Sequence, residues 1–248
     1  MTSAIAGWRV LVPRGGPWGR AVANRLVERG AIPVIAPLIE FAPTEDAAEL
    51  AAGLERLAAG DFDWLVVTSA TTVGLLEGVE VPATTRIAAV GSATADALAE
   101  AGLRVDFVPS ADFSADALVS EWPGGAGSRI FLPQSAIAEP TAAEGLRAAG
   151  NRVDAVAAYR TIGARVAPET VAEVRSGGIR AILVTSGSVA REVAAQLAPI
   201  SPGTVIACIG PRTAAEARAV GLDVDAIAER QSIEALILSI IHSAEVRP

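Results

Sequence analysis

Lysine is absent from this 248-residue chain; all 20 of its basic residues are arginine. It has one histidine (His242), one cysteine (Cys208), one tyrosine (Tyr159) and one methionine (Met1). Without lysine, Schiff-base and pyridoxal-phosphate chemistry is excluded, and so is a Walker-type phosphate loop, whose lysine reaches the terminal phosphates. One histidine and one cysteine do not assemble the usual zinc sites, so no metal is expected. A nucleophile–histidine triad would depend on His242, which falls in the last helical segment, Glu234 to Ser243, and is expected at the surface. Cys208 sits mid-strand and reads as a small buried hydrophobe, and a single cysteine permits no internal disulfide. The net charge of −8 argues against a nucleic-acid surface. No apolar run approaches the roughly 20 residues that span a bilayer. The first residues carry neither a basic segment nor a long apolar run, so no signal peptide and a cytoplasmic location are expected. With alanine and arginine abundant, the missing lysine reads as coding bias.

What the chain does have is self-similarity. Ser69 closes Trp64-Leu-Val-Val-Thr-Ser and Ser186 closes Ala181-Ile-Leu-Val-Thr-Ser, an offset of 117. Gly91 and Gly210 each follow a short apolar run, and Thr94 and Thr213 lie three residues further on, all at an offset of 119. Pro13 and Pro133, each expected to end a strand, are 120 apart, as are Gly30 and Gly150. Ser114-Ala-Asp-Ala-Leu matches Ser232-Ile-Glu-Ala-Leu at 118. These matches keep one order and nearly one spacing, which predicts an internal duplication of a structural plan.

Each half alternates strands and helices. Strands are expected near 8–13, 32–38, 63–68, 86–90 and 104–108, then near 129–133, 152–161, 180–185, 204–209 and 223–228. They are short and apolar on both faces, as buried parallel strands are. Gly30, Gly102, Gly150 and Gly221 stand where helices should end in a left-handed residue. The pattern predicts an α/β protein of two doubly wound parallel-sheet domains, about five strands each, rather than one large sheet.

In such sheets ligands bind beyond the carboxyl ends of the strands. The residues expected there are Pro13-Arg-Gly-Gly, Thr68-Ser-Ala-Thr, Gly91-Ser-Ala-Thr, Pro133-Gln-Ser, Thr185-Ser-Gly-Ser and Gly210-Pro-Arg-Thr. They are small or hydroxylated, and each opens a helix, whose free N–H groups and dipole favour anions. Ser and Thr there also serve as plain helix caps. Gly15-Gly-Pro-Trp-Gly19 does not match the Gly-x-Gly-x-x-Gly dinucleotide fingerprint, and Pro17 sits where a phosphate-cradling N–H could be. Tyr159 lies in Ala157-Ala-Tyr-Arg-Thr, where the second half is expected to cross between domains.

The strand–Thr-Ser motif, Ala89-Val-Gly-x-x-Thr-Ala95, Ala158-Tyr-Arg-Thr161, Thr185-Ser-x-Ser188 and Cys208-Ile-Gly-x-x-Thr-Ala214 occur in this order. Together they resemble uroporphyrinogen-III synthase, in the form without an appended DNA-binding domain, and the resemblance covers the whole chain. It implies two flavodoxin-like domains joined by a two-stranded linker: residues 1–36 with 163–248, and 37–162, with linker strands near 33–40 and 155–163. The active site would be the cleft between them. The implied reaction is a cofactor-free, dehydrative closure of hydroxymethylbilane with inversion of ring D, the work of a cyclising lyase in tetrapyrrole and heme biosynthesis. The implied partner is this linear tetrapyrrole with eight carboxylates, supplied upstream by hydroxymethylbilane synthase; a monomer is expected, with no nucleic acid and no membrane.

By the same resemblance, Tyr159 is the catalytic candidate, a weak general acid toward the leaving hydroxyl. Ser69, Gly91, Ser92, Thr94, Ser186, Ser188, Gly210 and Thr213 would bind substrate, with Arg14, Arg160 and Arg212 as the arginine donors. The chain departs from the family pattern at Pro133-Gln134-Ser135, where the family often has Arg-Gly, and at Glu139 soon after, where basic residues are common. Two rival readings remain: a two-domain binding protein for a small anionic ligand, without chemistry, and a nucleotide-dependent regulator.

Overall fold

In the computed structural model, residues 3–110 and 113–246 are described. Ten strands and ten α-helices are found among them. The strands are β1 (Arg9–Val12), β2 (Ile32–Ile35), β3 (Ile39–Pro43), β4 (Trp64–Val67), β5 (Arg86–Ala89), β6 (Arg129–Ser135), β7 (Arg152–Gly163), β8 (Ala181–Val184), β9 (Val205–Cys208) and β10 (Ala226–Ile227). The helices are α1 (Gly16–Val27), α2 (Ala47–Ala58), α3 (Ala70–Val73), α4 (Ser92–Glu100), α5 (Ala115–Ser120), α6 (Thr141–Ala148), α7 (Pro168–Ser176), α8 (Gly187–Glu192), α9 (Pro211–Ala219) and α10 (Ile233–Val246). The chain forms two compact units, residues 1–40 with 162–248 and residues 41–161. It passes from the first to the second within β3 and returns within β7.

The first unit's sheet has the order β10-β9-β8-β1-β2, and every pairing in it is parallel. The second sheet has the order β3-β7-β6-β4-β5, with β7, β6, β4 and β5 mutually parallel. Strand alternation divides each core into two layers. Leu11, Ile182, Val184, Ile206 and Cys208 pack on one face of the first sheet; Val10, Val12, Leu183, Val205 and Ala207 pack on the other. In the second sheet Leu65, Val67, Ile87 and Phe131 oppose Trp64, Val66, Ala88 and Ile130 in the same way. With helices on both faces, continuous apolar runs such as Ala181–Val184 are fully buried, which is why the sequence shows no polar alternation there. Gly30, Gly102, Gly150 and Gly221 take φ of +75°, +78°, +86° and +83°, the left-handed turn from helix to strand.

Four strand expectations need correction. Residues 32–38 divide: β2 ends at Ile35, Pro37 interrupts the ladder with no N–H to give, and β3 begins at Ile39 in the second sheet's order. Residues 104–108 form no strand, only a bridge from Phe107 to Ala88. There the Asp106 carboxylate accepts the Ile87 N–H at 2.9 Å while the Asp106 N–H donates to Ile87 O at 2.8 Å, so a side chain replaces a rung of the ladder. An equivalent arrangement, Asp225 on Ile206 at 2.8 and 3.0 Å, shortens the expected 223–228 strand to β10. Pro133 does not end its strand, since β6 runs on to Ser135. Its pairing with β4 covers only Ile130 and Phe131, so a proline further along costs no bond on that side.

Candidate active site

In a parallel sheet all strands end on one edge, so the loops that follow them gather there. In the second unit this edge collects Ser69 after β4, Gly91, Ser92 and Thr94 after β5, and Tyr159 and Arg160 late in β7, where Tyr159 pairs with Ser135 of β6. In the first unit the matching edge collects Arg14 after β1, Ser186 and Ser188 after β8, and Gly210, Arg212 and Thr213 after β9.

Local chemistry separates these residues. Ser69 Oγ accepts from the Thr71 N–H at 3.2 Å and Ser186 Oγ from the Val189 N–H at 3.3 Å, so both act as helix caps. Ser188 Oγ accepts from Arg191 Nη2 at 3.2 Å. Gly91 and Gly210 cap α4 and α9 through backbone alone. A Cβ at Gly91 would come within 2.8 Å of Phe113 Cβ, so this turn needs glycine for space. Ser92 is exposed, Thr213 half-buried and Thr94 buried. Thr94 therefore belongs to the packing of α4 as well as to its first turn.

Tyr159 is 7% exposed, and its ring meets Phe41 edge-on, with centroids 5.3 Å apart and planes at 85°. Beside it, Arg160 is committed within its own unit: Nε donates to Pro43 O at 3.1 Å and Nη1 to Glu45 Oε1 at 2.7 Å. Arg212 Nε donates to Glu216 Oε1 at 3.3 Å, one turn along α9. Arg14 lies 5.1 Å from the Trp18 ring centroid, a cation–π distance. A Cβ at Gly19 would overlap Arg14 O, so that glycine lets α1 pack directly against the loop.

Four residues at these edges lie outside the catalytic and substrate-binding candidates named from the sequence. Thr72 and Thr185 bury hydroxyls that find no hydrogen-bond partner among the described residues. Phe41 supplies the face for Tyr159, and Glu216 reaches across to Gly187 at the start of α8. Cys208 is fully buried and burial pushes its thiol up to about 11, so it is no nucleophile at neutral pH. His242 is exposed on α10. Among the described residues no group of three His, Cys, Asp or Glu side chains is placed to hold a metal ion, and no helix is long and apolar enough to cross a membrane.

The fold and these edges define a class: a doubly wound α/β protein of two parallel-sheet units, with small, hydroxylated and arginine-bearing loops at the strand ends. Within that class, the family model for uroporphyrinogen-III synthase HemD matches residues 20–238, and the chain belongs to this family. Its sequence is 26% identical to a uroporphyrinogen-III synthase of Synechococcus elongatus, over 95% of each chain. It is 28% identical to a porphyrin biosynthesis protein HemD of Ruminiclostridium josui, covering 96% of this chain but 49% of that protein, so the chain spans about half its length. In fold it is similar to a mutant uroporphyrinogen III synthase of Thermus thermophilus, with a TM-score of 0.64 at 19% identity, covering 97% of this chain and all of that one. A Helicobacter pylori uroporphyrinogen-III synthetase gives a TM-score of 0.62 at 16% identity, covering 95% of this chain and 99% of the other.

Proposed function

We infer that the chain is a uroporphyrinogen-III synthase: it closes the linear tetrapyrrole hydroxymethylbilane into uroporphyrinogen III, with net loss of one water. The observation that carries this reading is the family match across residues 20–238. The hydroxyl of the substrate's hydroxymethyl group leaves as water, with loss of the pyrrole N–H proton, and the carbon that carried it becomes the electrophilic methylene of an azafulvene. The substituted carbon of ring D attacks it to form a spiro centre. The older bond at that centre, from the methylene bridge of ring C, then breaks and re-forms at the free α-carbon of ring D, which inverts the ring, and loss of the proton from that carbon restores the pyrrole.

Such a substrate reacts with itself once held in the right shape. Orientation alone can supply several powers of ten, and the chemistry asks for few acid–base groups. The eight carboxylates of the substrate suit Arg14, Arg160 and Arg212, together with the backbone N–H groups and hydroxyls of Ser69, Gly91, Ser92, Thr94, Ser186, Ser188, Gly210 and Thr213. Tyr159, its ring fixed on Phe41, is the group we assign to protonate the departing hydroxyl. In the same reading the protein is a cytoplasmic monomer that needs no cofactor and takes its substrate from hydroxymethylbilane synthase. Freshly generated hydroxymethylbilane, incubated with the pure protein, should yield the type III isomer; type I alone, the spontaneous product, would support a binding protein without chemistry.

A further inference from the structure

Gly187 opens α8, and the space where its side chain would be is taken by another residue. A Cβ built there would overlap Glu216 Oε2 and lie 2.5 Å from Glu216 Cδ, while Glu216 Cβ would be at an ordinary 3.4 Å. Only the carboxylate intrudes. Its other oxygen accepts from Arg212 Nε at 3.3 Å. That bond is long for a charge-assisted pair, which closes to about 2.7–2.9 Å at its best, and it is not the two-pronged grip that guanidinium and carboxylate can make. Both side chains stay open to solvent, Arg212 at 63% and Glu216 at 38%, so the pair is weakly held. At the offsets of 117 and 119 noted above, the second unit has Ala70, Ala93 and Ala97 in place of Gly187, Arg212 and Glu216. Glycine, arginine and glutamate occur together at these positions in one unit, and alanine stands at all three in the other.

We propose that Glu216 is a displaceable internal carboxylate: it occupies the gap beside Gly187, holds Arg212 in place, and yields Arg212 to an incoming carboxylate of the ligand. This rests on the enzymatic reading above for the ligand's identity as a polycarboxylate; an anionic ligand group is what Arg212 itself calls for. Glu216 is thus a positioning residue whose contact opposes binding until it is exchanged.

Gly187→Ala tests this without changing any charge. The new methyl collides only with the far end of a flexible side chain, so the carboxylate must leave. Glu216→Gln weakens the same contact by removing its charge, and Arg212→Gln removes the contested group. Two readouts are needed: KM and kcat with hydroxymethylbilane, and the calorimetric Kd for benzenehexacarboxylate, with thermal melts to confirm folding. Gly187→Ala and Glu216→Gln should each lower KM and Kd about two- to five-fold, the release expected from a weak exposed ion pair, with kcat within about two-fold. In an Arg212→Gln background the gain from Glu216→Gln should vanish. A gain that persists there is a net-charge effect and overturns the proposal, as do unchanged or raised KM and Kd. Should Gly187→Ala not fold, the Glu216–Arg212 cycle decides alone. Tighter benzenehexacarboxylate binding by a protein that makes no type III isomer would sink the enzymatic reading and leave this one standing; type III product without any gain would do the reverse.

Discussion

Replacing Tyr159 by Phe and by Ala separates a chemical role from a packing role. The ring is 7% exposed and packs edge-on against Phe41, an arrangement that contributes about 0.5–1.5 kcal/mol beyond burial. Tyr159→Ala removes that contact and leaves a cavity, at a cost of about 3–5 kcal/mol. Tyr159→Phe keeps the ring. No hydrogen bond from the tyrosine hydroxyl to another described residue is found, so removing it should change stability by less than about 1 kcal/mol. If the hydroxyl protonates the leaving group, kcat should fall about ten- to hundred-fold in Tyr159→Phe, the low end for general-acid catalysis because the hydroxyl departs with little help. That corresponds to roughly 1.4–2.7 kcal/mol of barrier. The assay is initial-rate formation of type III isomer, separated from spontaneous type I by chromatography, alongside a thermal melt. A kcat within two-fold of wild type in a normally folded Tyr159→Phe protein would refute the role. Equal losses of stability in the Phe and Ala variants would refute the packing argument.

Three further outcomes follow from local contacts. Asp225→Ala deprives the buried Ile206 N–H of its acceptor, costing about 1–3 kcal/mol and lowering Tm by roughly 3–10 °C, whereas the exposed Asp223→Ala should leave Tm unchanged; equal melts would contradict the clamp. The Arg129 backbone N–H, 2.7 Å from Asp63 Oδ2, and then the Arg129 side chain hold the Asp63 carboxyl below its ordinary pKa. Its stabilising contribution is therefore complete above the unfolded value of about 4 and is lost as pH falls toward the folded one. Acid unfolding curves of wild type and Asp63→Asn should converge at low pH and separate near neutrality; a constant gap would show that Asp63 does not titrate in this way. Cys208, with its thiol raised to about 11, should resist iodoacetamide at pH 8 until the protein unfolds, and rapid alkylation of the native state would count against its burial.

Much of the fold is legible in the sequence because its strands are buried on both faces. Ala181–Val184 and Trp64–Val67 read as strands from unbroken apolar runs, and the structure buries every residue of both. Residues 104–108 mislead because their apolar positions do pack, while pairing there is done by the Asp106 carboxylate, and periodicity does not tell a side-chain acceptor from a backbone one. Pro37 is visible, but the change of sheet that follows it depends on tertiary pairing. Of the candidate site, the strand-end position of each residue is readable, since chain order fixes which loop follows which strand. The partners are not: Glu45 reaches Arg160 across 115 positions, and Glu216 fills a gap at Gly187 on a different helix. The i,i+4 spacing of Arg212 and Glu216 is present in the sequence, but the glycine that makes the contact consequential lies 29 residues earlier.

The central claim, that this family member is a working uroporphyrinogen-III synthase, is tested most directly by product isomer analysis. Pure protein is mixed with hydroxymethylbilane as it is generated, the products are oxidised to porphyrins, and the isomers are resolved. The account predicts type III in excess over type I, in proportion to enzyme added. Type I alone at every enzyme concentration, from a protein that melts cooperatively, would contradict it.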